Sequence, residues 1–377
     1  MGPACGSAGG PRGRGGPLRR ACGAARAALP LIAAAQLKAL AQRFGAPPSA
    51  QLSPLGGGHI NATYRVRWPT GDLLLQRVNP AVFPDPEVPC RNGAAVLAHL
   101  AAKGAACPRI WPAKDGALWC REPDGCWRAF AFLAGYAQAD APAHRDRFCE
   151  AATALGTLLA LLEDFPAATL TPALPRFHDL AWHRARFAEH ALRAEKTLGP
   201  EGWGFHQALA EALGNNPLAG PDRVIHGDTK LANVLLPSSE DPAVVVDFDT
   251  VMVGTLAMDF GDFLRSVAAP ETGRAETSAT LLARLGEAGR AFLAPLALRE
   301  GETRAQLARA PAAMAWMLAQ RFLTDHLEGD RYFRVATPGE NLARGRAQLA
   351  LAVRLAEGAP ELAEALAFPG AKPQDAG

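Results

Sequence analysis

The sequence predicts an α+β chain in two lobes, a small antiparallel β-rich lobe followed by a large, mostly helical one. Three observations carry this. Between residues 50 and 135 the apolar residues come in short alternating runs broken by Gly, Pro and Asp turns. Beyond Gly135 the runs lengthen into Ala/Leu-rich stretches of helical period. Only two β-branched runs interrupt those stretches, at 224–225 and 244–246, and each delivers a carboxylate at its end.

Taken in order, residues 1–27 are Gly, Ala, Pro and Arg without a hydrophobic period, and read as a disordered tail. The stretch has five Arg and no acid; the first acid in the chain is Asp72. Such a leader can be an organelle transit peptide, but the lack of Ser enrichment and of a clear amphipathic face favours a plain tail or an upstream start. A helix is expected over 29–44, ended by Gly45 and Pro47. Strands follow at 52–55, 64–68 and 73–78, a helix at 89–102, and strands at 118–121 and 127–132. Helices are then expected at 145–163, 179–197, 203–213, 276–297, 304–328 and 341–357. The lobes are accordingly 28–133, nucleotide-binding, and 134–377, catalytic and acceptor-binding.

At 377 residues and 49% hydrophobic content the chain can bury a large core, and a net charge of +2 gives no general reason to expect nucleic acid as partner. Seven cysteines without a CxxC pair argue against a zinc site or disulfide framework and favour a reducing, cytoplasmic setting. No apolar run is long enough to span a bilayer.

The chemistry concentrates in residues 224–255. Asp228 sits two residues after His226, Asn233 follows it by five, and Asp247 by nineteen. This is the spacing of a kinase catalytic loop followed by a metal-binding Asp, and it makes the two lobes protein-kinase-like. Asp228 is the candidate base for the acceptor hydroxyl, with Lys230 able to neutralise the γ-phosphate. Asn233 and Asp247 are the candidate Mg²⁺ ligands on ATP; Asp249 is a second ligand or a cap. His226 is expected to support the loop. Asp259 and Asp262, in Met-Asp-Phe-Gly-Asp-Phe, are expected to fix it from the start of a helix. The Asp259-Phe260-Gly261 triplet follows no β-run, so Asp247 is the better metal ligand.

In the first lobe Gly56, Gly57 and Gly58, between two strands, suit a loop whose backbone N–H groups approach a triphosphate; the alternative is a flexible hairpin. On the third strand Arg77 is the candidate phosphate cation, or Gln76 if the register shifts by one. Glu87 is the nearest acid to pair with Arg77 from the following helix. Phe132, in the hinge, is expected beside the adenine.

These motifs resemble the aminoglycoside phosphotransferase-like (choline kinase-like) superfamily, and within it are most similar to N-acetylhexosamine 1-kinases. The segments are Gly-His-Ile-Asn-Ala-Thr-Tyr (58–64), Leu-Gln-Arg-Val-Asn-Pro-Ala-Val-Phe (75–83), His-Gly-Asp-Thr-Lys-Leu-Ala-Asn-Val (226–234), Val-Asp-Phe-Asp-Thr-Val-Met-Val-Gly (246–254) and Gln-Arg-Phe-Leu-Thr-Asp-His-Leu-Glu-Gly-Asp-Arg-Tyr-Phe (320–333). The resemblance implies ATP- and Mg²⁺-dependent phosphorylation of a sugar at its anomeric hydroxyl. It also implies that Arg321 and Tyr332 bind the acetamido group, where a forked donor and a ring face meet a carbonyl and a methyl. The alternative for that pair is a helix-end ion pair, Arg321 with Asp325, beside a surface Tyr. One departure stands out: Cys90-Arg91-Asn92 occupies the place of a Met-Glu-Asn-like run, which leaves the partner of Arg77 open. The rival readings are a kinase of choline, homoserine, an aminoglycoside or another small alcohol, and a catalytically inactive nucleotide-binding module.

Overall fold

The computed structural model describes residues 32–56, 60–144, 146–269 and 277–367; the expected tail, Gly57 and Gly58 lie outside them. The architecture is α+β, with an antiparallel sheet in the N-terminal part and a helical C-terminal part. The sheet has five strands: β1 (Gln51–Pro54), β2 (Ala62–Trp68), β3 (Gly71–Val78), β4 (Trp119–Glu122) and β5 (Gly125–Ala131), in the order β1-β2-β3-β5-β4. Period-2 alternation splits it into two faces. Val66, Leu73, Leu75, Trp127 and Ala129 pack on α1 (Ala34–Arg43) through Leu37, Leu40 and Phe44. The other face carries Val78 and Cys126 against α2 (Glu87–Ala102), through Val88 and Cys90.

The helical part follows β6 (Tyr136–Gln138): α3 (Phe148–Leu161), α4 (Leu180–Ala188) and α5 (Ala191–Leu213). The helix expected over 179–197 is broken in two. The second piece stops at Gly199, whose φ 76° and ψ 172° are not helical, and the helix expected at 203–213 begins just beyond it at Pro200, so α5 is two helices across a kink. Next come β7 (Arg223–Ile225), β8 (Val234–Pro237), β9 (Val244–Val245) and β10 (Met252–Gly254). The two β-branched runs do not pair with each other: β7 pairs with β10, and β9 with β8, which also takes β6. Each run thus has a local partner, and the polar segments after them are brought side by side.

Helices α6 (Leu256–Ala268), α7 (Ser278–Leu293), α8 (Arg304–Leu327), α9 (Glu340–Glu357) and α10 (Ala359–Ala365) complete the chain. The sequence pattern passed over α10, which is too short for a clear period. Helix α8 is the hub, contacting α4, α5, α6, α9 and α10. Its Ala308, Ala310, Ala312, Ala313, Ala315 and Ala319 are buried, so small side chains let neighbouring backbones come close. Among the described residues no helix is long and apolar enough to cross a membrane.

Close approach also joins α3 to α7. A Cβ on Gly156 would stand 2.0 Å from the carbonyl oxygen of Phe292. Gly156→Ala should therefore lower stability by about 1–3 kcal/mol, the usual cost of overpacking, read as a fall in the thermal unfolding midpoint. A midpoint within a degree of wild type would show that the two helices part freely.

Candidate active site

The loop between β7 and β8 is held by four constraints. Asp259, in the first turn of α6, accepts the backbone N–H of His226 at 2.8 Å and of Gly227 at 2.9 Å. Gly227 has φ 82°, and a Cβ there would lie 2.5 Å from the carbonyl oxygen of Thr250. Thr229 Oγ1 donates to the carbonyl of Asp259 at 2.6 Å, and His226 bridges by Nε2 to the Val246 carbonyl at 3.0 Å. Asp259 thus has the loop-fixing place expected of it, and Asp259-Phe260-Gly261 lies buried inside α6. Asp262 instead pairs with Arg265 at 2.7 Å.

This frame gathers Asp228, Lys230 and Asn233. Lys230 Nζ donates to Asp228 Oδ2 at 2.6 Å, and Asn233 Nδ2 donates to the same oxygen at 2.9 Å and to the Asp228 carbonyl at 2.8 Å. Burial opposes the charged form of Asp228, but the ammonium of Lys230 outweighs it and holds the carboxyl below its ordinary value. Burial likewise works against the charged form of Lys230, yet Asp228 and then Asp247 raise its pKa.

Asp247 follows β9 in a left-handed conformation, φ 69° and ψ 63°, which a short polar side chain tolerates at a cost of about 1 kcal/mol. It opens onto the cleft and makes no hydrogen bond to any described residue. Desolvation by the cleft walls, then the neighbouring charge of Asp249, pushes its carboxyl up to about 7. Asn233 spends its amide nitrogen on Asp228, leaving Oδ1 without a partner among the described residues. Oxygen donors of this kind suit a hard cation such as Mg²⁺. Among the described residues no group of three His, Cys, Asp or Glu could cage a metal alone, so such an ion would take its remaining oxygens from substrate and water.

The first lobe is arranged differently from expectation. Arg77 lies on the far face of the sheet, 1% exposed, paired with Asp124 at 2.9 Å. Its neighbour is Trp127, whose indole N–H also donates to Asp124. Alternation is the reason: Leu73, Leu75 and Arg77 share the α1 face. Gln76 occupies the cleft face, accepting from Arg128 of β5 at 2.6 Å. Glu87 does not reach Arg77; it pairs with Arg121 near the surface. Arg91, at the acid's place in that run, is exposed, and Asn92 donates to the Thr171 carbonyl at 2.7 Å. Arg128, read from the sequence as structural beside Trp127, stands on the same side as Gln76, and a cation inside the apolar run 126–130 signals a buried partner. Gly56 is exposed at the loop entry. Phe132 lies beyond β5 beneath the guanidinium of Arg65, 3.8 Å from its ring centroid.

In the second lobe Arg321 and Tyr332 come together. The Arg321 guanidinium stands 4.8 Å from the ring centroid of Phe177, 5.8 Å from Tyr332 and 5.5 Å from Phe333. The alternative ion pair with Asp325 does not form. Asp325 instead accepts the backbone N–H groups of Arg331, Tyr332 and Phe333 at 2.7–2.9 Å, and Asn341 Nδ2 at 2.9 Å, which folds the segment after α8 back over Arg321. The next residue after Phe177, His178, lies against the Gly227 carbonyl at 2.7 Å and ties this aromatic cluster to the catalytic loop.

A β-rich part followed by a helical part that carries this Asp-Lys-Asn-Asp cluster suits a small-molecule phosphotransferase of protein-kinase-like fold. The model of the phosphotransferase enzyme family matches residues 51–296, well over half the chain, and the chain belongs to that family. It is a phosphotransferase with an alcohol group as acceptor. Solved structures share the fold at low identity. An aminoglycoside phosphotransferase from Alicyclobacillus acidocaldarius is 15% identical, covering 90% of this chain and 98% of its own, with TM-score 0.58. A macrolide 2'-phosphotransferase from Brachybacterium faecium is 20% identical over 82% and 97%, with TM-score 0.52. An amicoumacin kinase, solved with AMP-PNP and Ca²⁺, is 12% identical over 86% and 92%, with TM-score 0.57.

Gly227→Ala tests the frame. The clash with Thr250 and the positive φ should cost about 1–3 kcal/mol of stability, and displacement of Asp228 should reduce turnover at least tenfold. A variant with wild-type melting and turnover would show that the loop tolerates another path.

Proposed function

We propose that the protein transfers the γ-phosphoryl group of ATP to the anomeric hydroxyl of an N-acetylhexosamine or a closely related sugar. The observation that carries the acceptor is Arg321. It makes no hydrogen bond or ion pair with the described residues, yet it is held between Phe177, Tyr332 and Phe333. A forked donor fixed in an apolar cluster fits an amide carbonyl with its methyl. The same cluster disfavours a choline-like acceptor, because the aromatic faces that would bind a quaternary ammonium already hold a cation.

In this reading the triphosphate lies under the glycine loop that begins at Gly56 and continues through Gly57 and Gly58, with the adenine near Phe132. Asn233 and Asp247 would hold Mg²⁺, which when bound supplies charge neutralisation on the phosphates. Asp228 takes the proton of the sugar hydroxyl as the new P–O bond forms, and the bond to ADP breaks in line. Lys230 steadies the ionised Asp228 and lies where negative charge accumulates. Positioning and charge neutralisation then supply most of the acceleration.

Two measurements check this reading. Asp228→Asn should keep binding of an ATP analogue within about threefold while kcat falls by about 10²–10⁴, because an amide cannot take the proton; more than a few per cent of wild-type turnover would remove Asp228 as the base. Arg321→Ala should lower kcat/KM for the N-acetyl sugar by about 1–3 kcal/mol and that of the unsubstituted hexose much less. Equal losses for both sugars would mean that Arg321 holds the fold, and the acetamido assignment would fall.

A further inference from the structure

Asp249 stands two residues beyond Asp247, a place from which a second carboxylate could reach a metal. Its oxygens are already taken. Oδ1 accepts from Arg128 Nη2 at 2.5 Å, and Oδ2 accepts from Asn61 Nδ2 at 2.7 Å. The Arg128 and Asp249 side chains are only 7% and 3% exposed. Each partner comes from a different part of the molecule: Asn61 from the stem of the glycine loop before β2, Arg128 from β5, and Asp249 from the turn after β9.

The joint is braced on both sides. Gln76 of β3 accepts Arg128 Nε at 3.0 Å and Nη2 at 2.6 Å, so the guanidinium cannot swing away. Asn61 Oδ1 accepts the backbone N–H of Asn79 at 3.0 Å, while Asn79 Nδ2 donates to the Ile60 carbonyl at 3.1 Å. The glycine-loop stem is thus pinned to the end of β3 as well as to Asp249. A buried ion pair is a poor source of stability, since the loss of hydration offsets its Coulomb attraction. Its value lies in fixing one arrangement of the groups it joins. Arg77 cannot serve instead, being committed to Asp124 on the opposite face.

We propose that Asp249 is a positioning residue rather than a metal ligand: with Arg128 and Asn61 it locks the glycine-loop stem and β5 to the loop that carries Asp247. The pair takes the structural place of a β3 cation and helix acid. The inference rests on the reading that nucleotide binds in this cleft. The direct test is calorimetric binding of a non-hydrolysable ATP analogue without acceptor, in Mg²⁺ and in EDTA. Asn61→Ala should weaken binding about tenfold in both conditions and lower the melting temperature by a few degrees, since Asp249 Oδ2 loses its donor. The double variant Arg128→Met, Asp249→Leu, which leaves no unpaired charge, should melt near wild type and bind at least tenfold more weakly in both conditions. Wild-type affinity in both variants overturns the proposal alone. A loss confined to Mg²⁺ makes Asp249 part of the metal site and overturns it too. If wild type itself does not bind the analogue, the functional reading falls and the proposal with it.

Discussion

The arrangement of the site depends on one buried carboxylate. Asp259 receives the backbone N–H groups of His226 and Gly227, and burial pushes its carboxyl up to about 6 even against those two donors. Removing it would leave two buried N–H groups unsatisfied in the segment that must present Asp228. The left-handed Gly227 turn, the Thr250 hydroxyl on the His226 carbonyl and the His226 bridge to Val246 all follow from that anchor. Because Asp259 belongs to α6, and α6 packs on α8, the geometry of the loop is referred to the centre of the helical part.

What the sequence reveals about the site follows sequence distance. Asp228, Asn233 and Asp247 lie within twenty residues of one another, so spacing alone brings them to one polar cluster. The assignment on β3 failed by one residue because strand periodicity says that Arg77 and Gln76 face opposite ways but not which way is the cleft. That is settled by where α1 and α2 pack, which is tertiary information. Arg128 was hidden for the same reason: its partners Gln76 and Asp249 are 52 and 121 positions away. Most strands and long helices were legible from period and turn residues. The division of the helix over 179–197 and the short α10 were not, since no interrupted period marks them.

The segment after α8 shows how one acid can decide the role of its neighbours. At four residues' spacing Asp325 could have neutralised Arg321. It faces inward instead, 5% exposed, and its two oxygens gather three successive backbone N–H groups and Asn341. Those bonds fold Tyr332 and Phe333 onto Arg321 and leave the guanidinium without a counter-charge in the described structure. A charge placed among rings and left unpaired is costly as architecture and useful as a ligand-binding group.

The two carboxylates of the candidate catalytic cluster differ in the same way. Asp228 has Lys230 at 2.6 Å, which holds its carboxyl below the ordinary value, whereas desolvation and then the charge of Asp249 push Asp247 up to about 7. Environments that drive paired acids apart assign them different work. A carboxylate already balanced by its own cation gains little from a further positive charge and can direct itself to a hydroxyl proton. One crowded by like charge gains most from a cation arriving with the phosphates. Since Arg128 and Asn61 spend both oxygens of Asp249, that cation would meet Asp247 as the unshared carboxylate. The proposed division of labour would therefore follow from which oxygens the fold has already used.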